Sequence, residues 1–175
     1  MQKVVPLKLL ILLWLLPTVS LPQQKNTLWQ PWNEVIATAV TTNKPIFIDV
    51  YTHWCRYCRI MDATTYRNDS VVNYLKQHYL RYKFNAEGKD IIRWKEKVYS
   101  YNPRYDAHDF AIYLTKGNLV FPTTVIITPG GQPFYKQGQI ELAEMEMLLK
   151  YFAETTEPKM PLDQFAKSFQ PVWKK

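Results

Sequence analysis

The chain has only two cysteines and three histidines among its 175 residues, and no apolar run long enough to cross a bilayer. Each shortage excludes something. Cys55 and Cys58 sit three positions apart, too close for a framework that staples a small secreted fold, so the pair reads as chemistry rather than scaffold. A zinc site takes about four ligands, and neither a second C-x-x-C nor a paired-histidine spacing accompanies this one. His53 is close in sequence to the pair, but His78 and His108 lie on separate segments without paired spacing and read as surface histidines before ligands, so neither a metal nor a cofactor is expected. The longest apolar stretch, residues 4–16, contains Pro6 and Lys8 and falls short of the roughly 20 residues a spanning helix needs.

What is present at the start has a different layout. Lys3 and Lys8 lead into an apolar run at 9–16, followed by Pro17 and the small residues Thr18, Val19 and Ser20. That is the pattern of a secretory signal peptide over residues 1–20, with cleavage expected near Ser20 and an uncleaved membrane anchor as the alternative. No cysteine follows the run, which excludes a lipoprotein anchor there. Cleavage would take the formal charge from +7 to +5. The excess is dispersed: the densest part, residues 93–104, mixes Lys, Arg, Glu and Tyr without a nucleic-acid module around it, so it reads as a solvated face and nucleic-acid binding is not expected.

With 47% hydrophobic and 15% aromatic residues, the chain is expected to hold one globular domain with short extensions, and it contains neither repeats nor low-complexity tracts. The expected division is a linker at 21–31, a domain at 32–154 and a C-terminal tail at 155–175 that docks through Leu162, Phe165 and Phe169 or stays free. Trp32, Val35, Ile36, Ala39 and Val40 have helical spacing. Pro45 ends that segment, and Ile46-Phe47-Ile48-Asp49-Val50-Tyr51 reads as a central strand buried on both faces. A helix is expected from Cys55 through about Arg67, then a shorter one capped by Asp69 or Ser70 and a strand at 80–84. Residues 86–105 are hard to place; a hairpin of 91–94 with 98–101 across Lys95-Glu96-Lys97 is the reading. A helix at 106–116 ended by Gly117, a strand at 121–128, a turn at 129–132, a strand at 133–137 and a helix at 141–154 complete an α/β layer fold.

A thiol attacks a disulfide only as the thiolate, and an ordinary cysteine ionises near pH 8.5, so a competent site must stabilise the anion. A strand-to-helix turn does this for Cys55 by placing its sulfur at a helix N-terminus, with Arg56 and Arg59 adding positive charge. Cys58, one helical turn on, faces the same side and is expected to be more buried. It can attack a mixed disulfide on Cys55, which makes Cys55 the nucleophile and Cys58 the resolving thiol. By spacing alone, half of a zinc site remains an alternative.

Residues 47–58, Phe-Ile-Asp-Val-Tyr-Thr-His-Trp-Cys-Arg-Tyr-Cys, closely resemble the active-site strand and turn of the thioredoxin superfamily, with Asp49, Trp54, Cys55 and Cys58 in register. Phe121-Pro122-Thr123-Thr124 followed by an apolar strand is similar to the family's cis-proline loop. The nearest subgroup by this resemblance is the C-terminal periplasmic domain of the bacterial transmembrane thiol-disulfide interchange reductase. The resemblance implies a three-layer α/β/α fold with a central mixed sheet, a cis bond before Pro122, and an insertion at 86–105 before the helix preceding that loop. It also implies a buried Asp49 that relays a proton to or from Cys58, and substrate contacts at Trp54, Phe121 and Pro122. Asp49 at a solvated strand end, an ordinary trans Pro122 and a Trp54 that only covers the core are the alternatives. Arg56-Tyr57 stands where thioredoxins carry Gly-Pro; this dipeptide tunes the thiolate and leaves the electron direction open. Trp94, Tyr99, Tyr101, Arg93 and Arg104 of the insertion either contact a partner or pack on their own hairpin. The expected activity is that of a monomeric periplasmic thiol-disulfide oxidoreductase, leaning to reductase, supplied with electrons by a membrane or soluble dithiol. The competing expectation is a redox-inactive or metal-carrying binding protein on the same fold.

Overall fold

The apolar run that contains Asp49 lies at the centre of the fold because it has a hydrogen-bonded neighbour on each side. In the computed structural model, which describes residues 27–154 and 160–174, this run is β1 (Ile46–Tyr51). It pairs in parallel with β2 (Leu80–Asn85) and antiparallel with a strand at Thr123–Ile127. The expected signal peptide lies outside the described residues. Around β1 the chain runs α1 (Trp32–Ala39), α2 (Arg56–Ala63), α3 (Asp69–His78), then a small-strand segment with β3 (Ile92–Trp94), β4 (Lys97–Tyr99), β5 (Tyr101–Asn102) and β6 (Ala107–His108). It continues with α4 (Asp109–Leu114), β7 (Thr123–Ile127), β8 (Phe134–Gln137), α5 (Leu142–Glu154) and α6 (Leu162–Ser168). The main sheet has the order β2-β1-β7-β8, which mixes parallel and antiparallel pairing.

Strand alternation divides the interior into two cores. Ile46, Ile48 and Val50 point with Leu80, Phe84, Val125 and Ile127 toward Val35 of α1 and Phe110, Ala111 and Leu114 of α4. Phe47 and Ile126 point the other way, toward Met61 of α2, Val71 and Leu75 of α3, and Met145, Leu148 and Leu149 of α5. The result is the expected α/β/α layering, with the end of β1 feeding directly into the cysteine turn.

Several local expectations are corrected. The helix after Cys55 stops at Ala63, where the Thr64 backbone leaves helical geometry (φ −120°, ψ −83°) while its N–H (3.0 Å) and its hydroxyl (2.8 Å) both donate to the Ile60 carbonyl; Thr65–Arg67 follow as a 3-10 turn. Asn68, rather than Asp69 or Ser70, caps α3, its Oδ1 accepting from the N–H groups of Ser70 (3.0 Å) and Val71 (3.3 Å). Asn68→Ala is therefore expected to cost about 1 kcal/mol in a denaturant titration. The helix expected from 106 begins at Asp109, since Asp106 has a positive φ of 49° and Ala107–His108 pair with Tyr101–Asn102. His108 caps it: Nδ1 accepts from Phe110 N–H (3.0 Å), which leaves Nε2 as the donor to the Asp90 carbonyl (2.8 Å).

The segment 86–105 does form a hairpin, tighter than expected, with Trp94 opposite Lys97. Trp94 and Tyr99 pack on the first core, and Trp32 Nε1 donates to the Arg93 carbonyl (3.1 Å), so this part packs on its own domain. At the other end, residues assigned to the linker belong to the fold. Leu28 and Trp29 pack on the second core, and Gln30 N–H donates to the Arg81 carbonyl (2.8 Å). The tail docks through Leu162, Phe165 and Phe169, and also through Trp173, which has no periodic neighbours to reveal it.

Candidate redox site at the Cys55–Cys58 turn

β1 ends at Tyr51, and four residues later Cys55 occupies the N-cap of α2. Its Sγ accepts a hydrogen bond from Cys58 N–H (3.0 Å), so a free helix N–H points at the sulfur. The two cysteines form a disulfide with Cα atoms 5.3 Å apart. Cys55 is 3% exposed and Cys58 2%, so the expected burial contrast is absent; the closed bond draws the Cys55 sulfur onto that of Cys58. Arg56 and Tyr57 lie outward on the first turn, with Tyr57 exposed, while Arg59 Nη1 donates to the His53 carbonyl (3.1 Å) and ties α2 to the loop before it.

Trp54 is exposed beside the disulfide and fixed from two sides. Its indole N–H donates to Glu87 Oε1 (2.6 Å), and its ring meets Phe121 edge-on at 6.0 Å. The Phe121–Pro122 bond is cis, and the Pro122 carbonyl accepts from Gly138 N–H (2.8 Å). Trp54, Phe121 and Pro122 are thus gathered on the cysteine turn although they are far apart in sequence.

Asp49 is 1% exposed and lies within the sheet, not at a solvated strand end. Strand pairing puts Lys83 beside it, and Lys83 Nζ reaches Asp49 Oδ2 at 2.7 Å and Asp62 Oδ1 at 2.5 Å. Asp62 stands four residues after Cys58 on α2, so Lys83 ties Asp49 to the helix that carries the cysteines. The ammonium also lies over the rings of Tyr51 (4.7 Å), Trp29 (5.4 Å) and Tyr66 (5.6 Å). Burial pushes the Asp49 carboxyl above its usual range against the opposing pull of Lys83. For Lys83, burial acts downward, but Asp49 and Asp62 outweigh it and hold the ammonium above its usual value.

Lys83, Asp62, Tyr66 and Glu87 were not among the residues expected at the site. Lys83 had a signal in the sequence: in Leu80-Arg81-Tyr82-Lys83-Phe84 it alternates with apolar neighbours, which sends it to the face of the sheet that Asp49 occupies. The raised Asp49 carboxyl has a stability consequence. Its cost is absent well below the unfolded value of about 3.9, grows as pH rises from there to the folded value, and is constant above it. Asp49→Asn is accordingly expected to raise the urea midpoint at neutral pH and to leave it unchanged in acid.

The histidines do not converge on the cysteines: His53 is exposed beside Tyr51, His78 stacks on Tyr74, and His108 is buried at the start of α4. Among the described residues, no three His, Cys, Asp or Glu side chains group as a metal site, and no helix is long and apolar enough to cross a membrane.

This arrangement defines a thioredoxin-fold protein with a redox-type cysteine pair. The chain belongs to the Thioredox_DsbH family, described as a protein of unknown function (DUF255), which it matches over residues 18–157. It is 27% identical over 107 residues to spermatogenesis-associated protein 20 of Mus musculus, covering 61% of this chain and 12% of that protein. The human protein of that name gives the same identity and coverage, so the chain spans about an eighth of the length of these curated relatives. Among solved structures, a thioredoxin-fold protein from Helicobacter pylori is similar with a TM-score of 0.53 and 13% identity, covering 71% of this chain and 79% of that one. A thioredoxin from Thermus thermophilus gives 0.51 and 17%, covering 70% and 83%. The superfamily resemblance and the fold class are borne out.

Proposed function

We propose that the protein is a thiol-disulfide oxidoreductase of the cell envelope that reduces protein disulfides through Cys55 and Cys58. The observation that supports it most is the cysteine pair itself, closed into a disulfide at the N-terminus of α2 with Cys58 N–H directed at Cys55 Sγ. The signal-peptide pattern of residues 1–20 is the support for export to the periplasm.

In the reducing direction, the Cys55 thiolate, stabilised by the helix N-terminus and Arg56, attacks one sulfur of a substrate disulfide. That S–S bond breaks, one substrate sulfur leaves as thiolate, and Cys55 is joined to the other. Cys58 then gives its proton to the Asp49 carboxylate and attacks Cys55 Sγ. The second substrate sulfur leaves, two electrons have passed to the substrate, and the Cys55–Cys58 disulfide is formed. A membrane-bound or soluble dithiol reverses these bonds to regenerate the enzyme. Trp54, Phe121 and Pro122 supply the lip against which an extended substrate lies, and Tyr57 extends it.

The test is insulin reduction with dithiothreitol as donor. Acceleration over the uncatalysed rate is expected, and none at all would remove the oxidoreductase reading. Equilibration with glutathione then reads direction, a potential near about −270 mV marking a reductase and one near about −120 mV an oxidant. Asp49→Ala is expected to slow turnover near neutral pH by about a hundredfold while the protein stays folded. Unchanged turnover across pH would remove Asp49 from the mechanism.

A further inference from the structure

Three strands set Lys83, Asp49 and Thr124 side by side, because Asp49 faces Lys83 in the β1–β2 register and Thr124 in the β1–β7 register. Lys83 occupies only one oxygen of the carboxylate, Oδ2 at 2.7 Å. The other, Oδ1, is buried and accepts no hydrogen bond from the described residues. Two more buried polar atoms share this condition: Thr124 Oγ1, on the residue paired with Asp49, and the hydroxyl of Tyr66, whose ring lies under the same Lys83 ammonium that bonds Asp49. Tyr66 bears on both Asp49 and Thr124, although no hydrogen bond of ordinary length closes the three atoms in this conformation.

The Tyr66 ring has little freedom to leave. Trp29 meets it edge-on at 5.0 Å, Phe47 at 6.2 Å, and Lys83 Nζ lies 5.6 Å from its centre. Only the hydroxyl is free to turn, and a phenol carries a single donor. Burial, followed by the charge of Asp49, holds its ionisation well above the ordinary range, so it remains a donor at every working pH. A buried carboxylate oxygen, a buried donor and a second hydroxyl behind it make a directional set, Thr124 to Tyr66 to Asp49.

We propose that Tyr66 is a positioning residue of the redox site, its hydroxyl accepting from Thr124 and donating to Asp49 Oδ1, and that it sets the pH at which Asp49 takes the Cys58 proton. Its part in turnover rests on the oxidoreductase reading; the pairing with Asp49 does not. The other groups that face Asp49 are Lys83 from β2, which favours its charged form, and Asp62 from α2, which disfavours it. None of these is altered by Tyr66→Phe, which keeps the ring and removes only the donor. A hydrogen bond to the charged form lowers a carboxyl pKa, so removing it raises the pKa.

The experiment titrates the Asp49 carboxyl by NMR with isotope-labelled aspartate, the signal assigned by its loss in Asp49→Asn. Oxidised protein is used, since neither cysteine then titrates and the curve belongs to Asp49 and its remaining neighbours. Tyr66→Phe is expected to raise the midpoint by about one unit. Thr124→Val should move it the same way by less, and it carries the test with the same sign if Tyr66→Phe fails to fold. An unmoved or lowered midpoint in the folded variant overturns the proposal. In single-turnover release from a mixed disulfide on Cys55, the pH dependence should shift upward in step; a rate profile that stays put while the carboxyl moves overturns the part in turnover. A wild-type protein that reduces no disulfide would end the oxidoreductase reading, while the titration would still decide the pairing.

Discussion

Cys55→Ser is expected to lower insulin reduction by at least about a thousandfold, to the uncatalysed background, the scale seen when a covalent nucleophile is removed. Serine in the same place still receives the Cys58 N–H, but its hydroxyl does not ionise in the working range and forms no mixed disulfide. Cys58→Ser separates the two halves of the reaction. The Cys55 thiolate still attacks, but with no resolving thiol the complex stalls and should appear on a non-reducing gel as protein joined to substrate. Retained turnover in Cys55→Ser would place the chemistry elsewhere; a Cys58→Ser protein that turns over without trapping would show that Cys58 does not resolve.

The part of this site that was legible in the sequence is the part written locally. Asp49, Trp54, Cys55 and Cys58 lie within ten residues, and a strand entering a helix fixes their order without any knowledge of distant contacts. Lys83 and Thr124 reach Asp49 only through strand pairing, and register is a property of two segments together. The layered fold was readable because Ile46, Ile48 and Val50 against Phe47 declare two buried faces. The end of α2 was not, because it is set where the Thr64 backbone leaves helical geometry, and Thr64 resembles any other helical position in the pattern. Trp29 and Trp173 escaped for a third reason: each docks as a single ring from an irregular segment, where periodicity carries no signal.

The same limit hid the anchoring of the tail, on which Glu146→Ala is expected to act strongly. Glu146 is a charged residue on the inner side of α5 with a fully buried side chain. Its Oε2 accepts from Val172 N–H (2.9 Å) and Trp173 N–H (2.8 Å), and its Oε1 from Lys150 Nζ (2.8 Å). Trp173 then packs against Tyr74 at 5.4 Å, and Asn68 Nδ2 donates to the Lys174 carbonyl (2.9 Å). Alanine would leave two backbone donors unserved and Lys150 without its carboxylate, a loss of about 2–4 kcal/mol. A lowered urea midpoint and rapid proteolysis within residues 160–174 are the expected readings. The pH dependence has a definite sign. Burial acts to raise the Glu146 carboxyl, but Lys150 and the two backbone donors outweigh it and hold the group below its usual value. The stability it contributes is therefore complete above the unfolded value of about 4.3 and is lost as pH falls through the lower folded one. Glu146→Gln keeps an acceptor but cannot titrate, so it should cost less at neutral pH and show no loss in that acid window. A tail that is released at the same pH in both proteins would assign the transition to other carboxylates and leave Glu146 with a packing role alone.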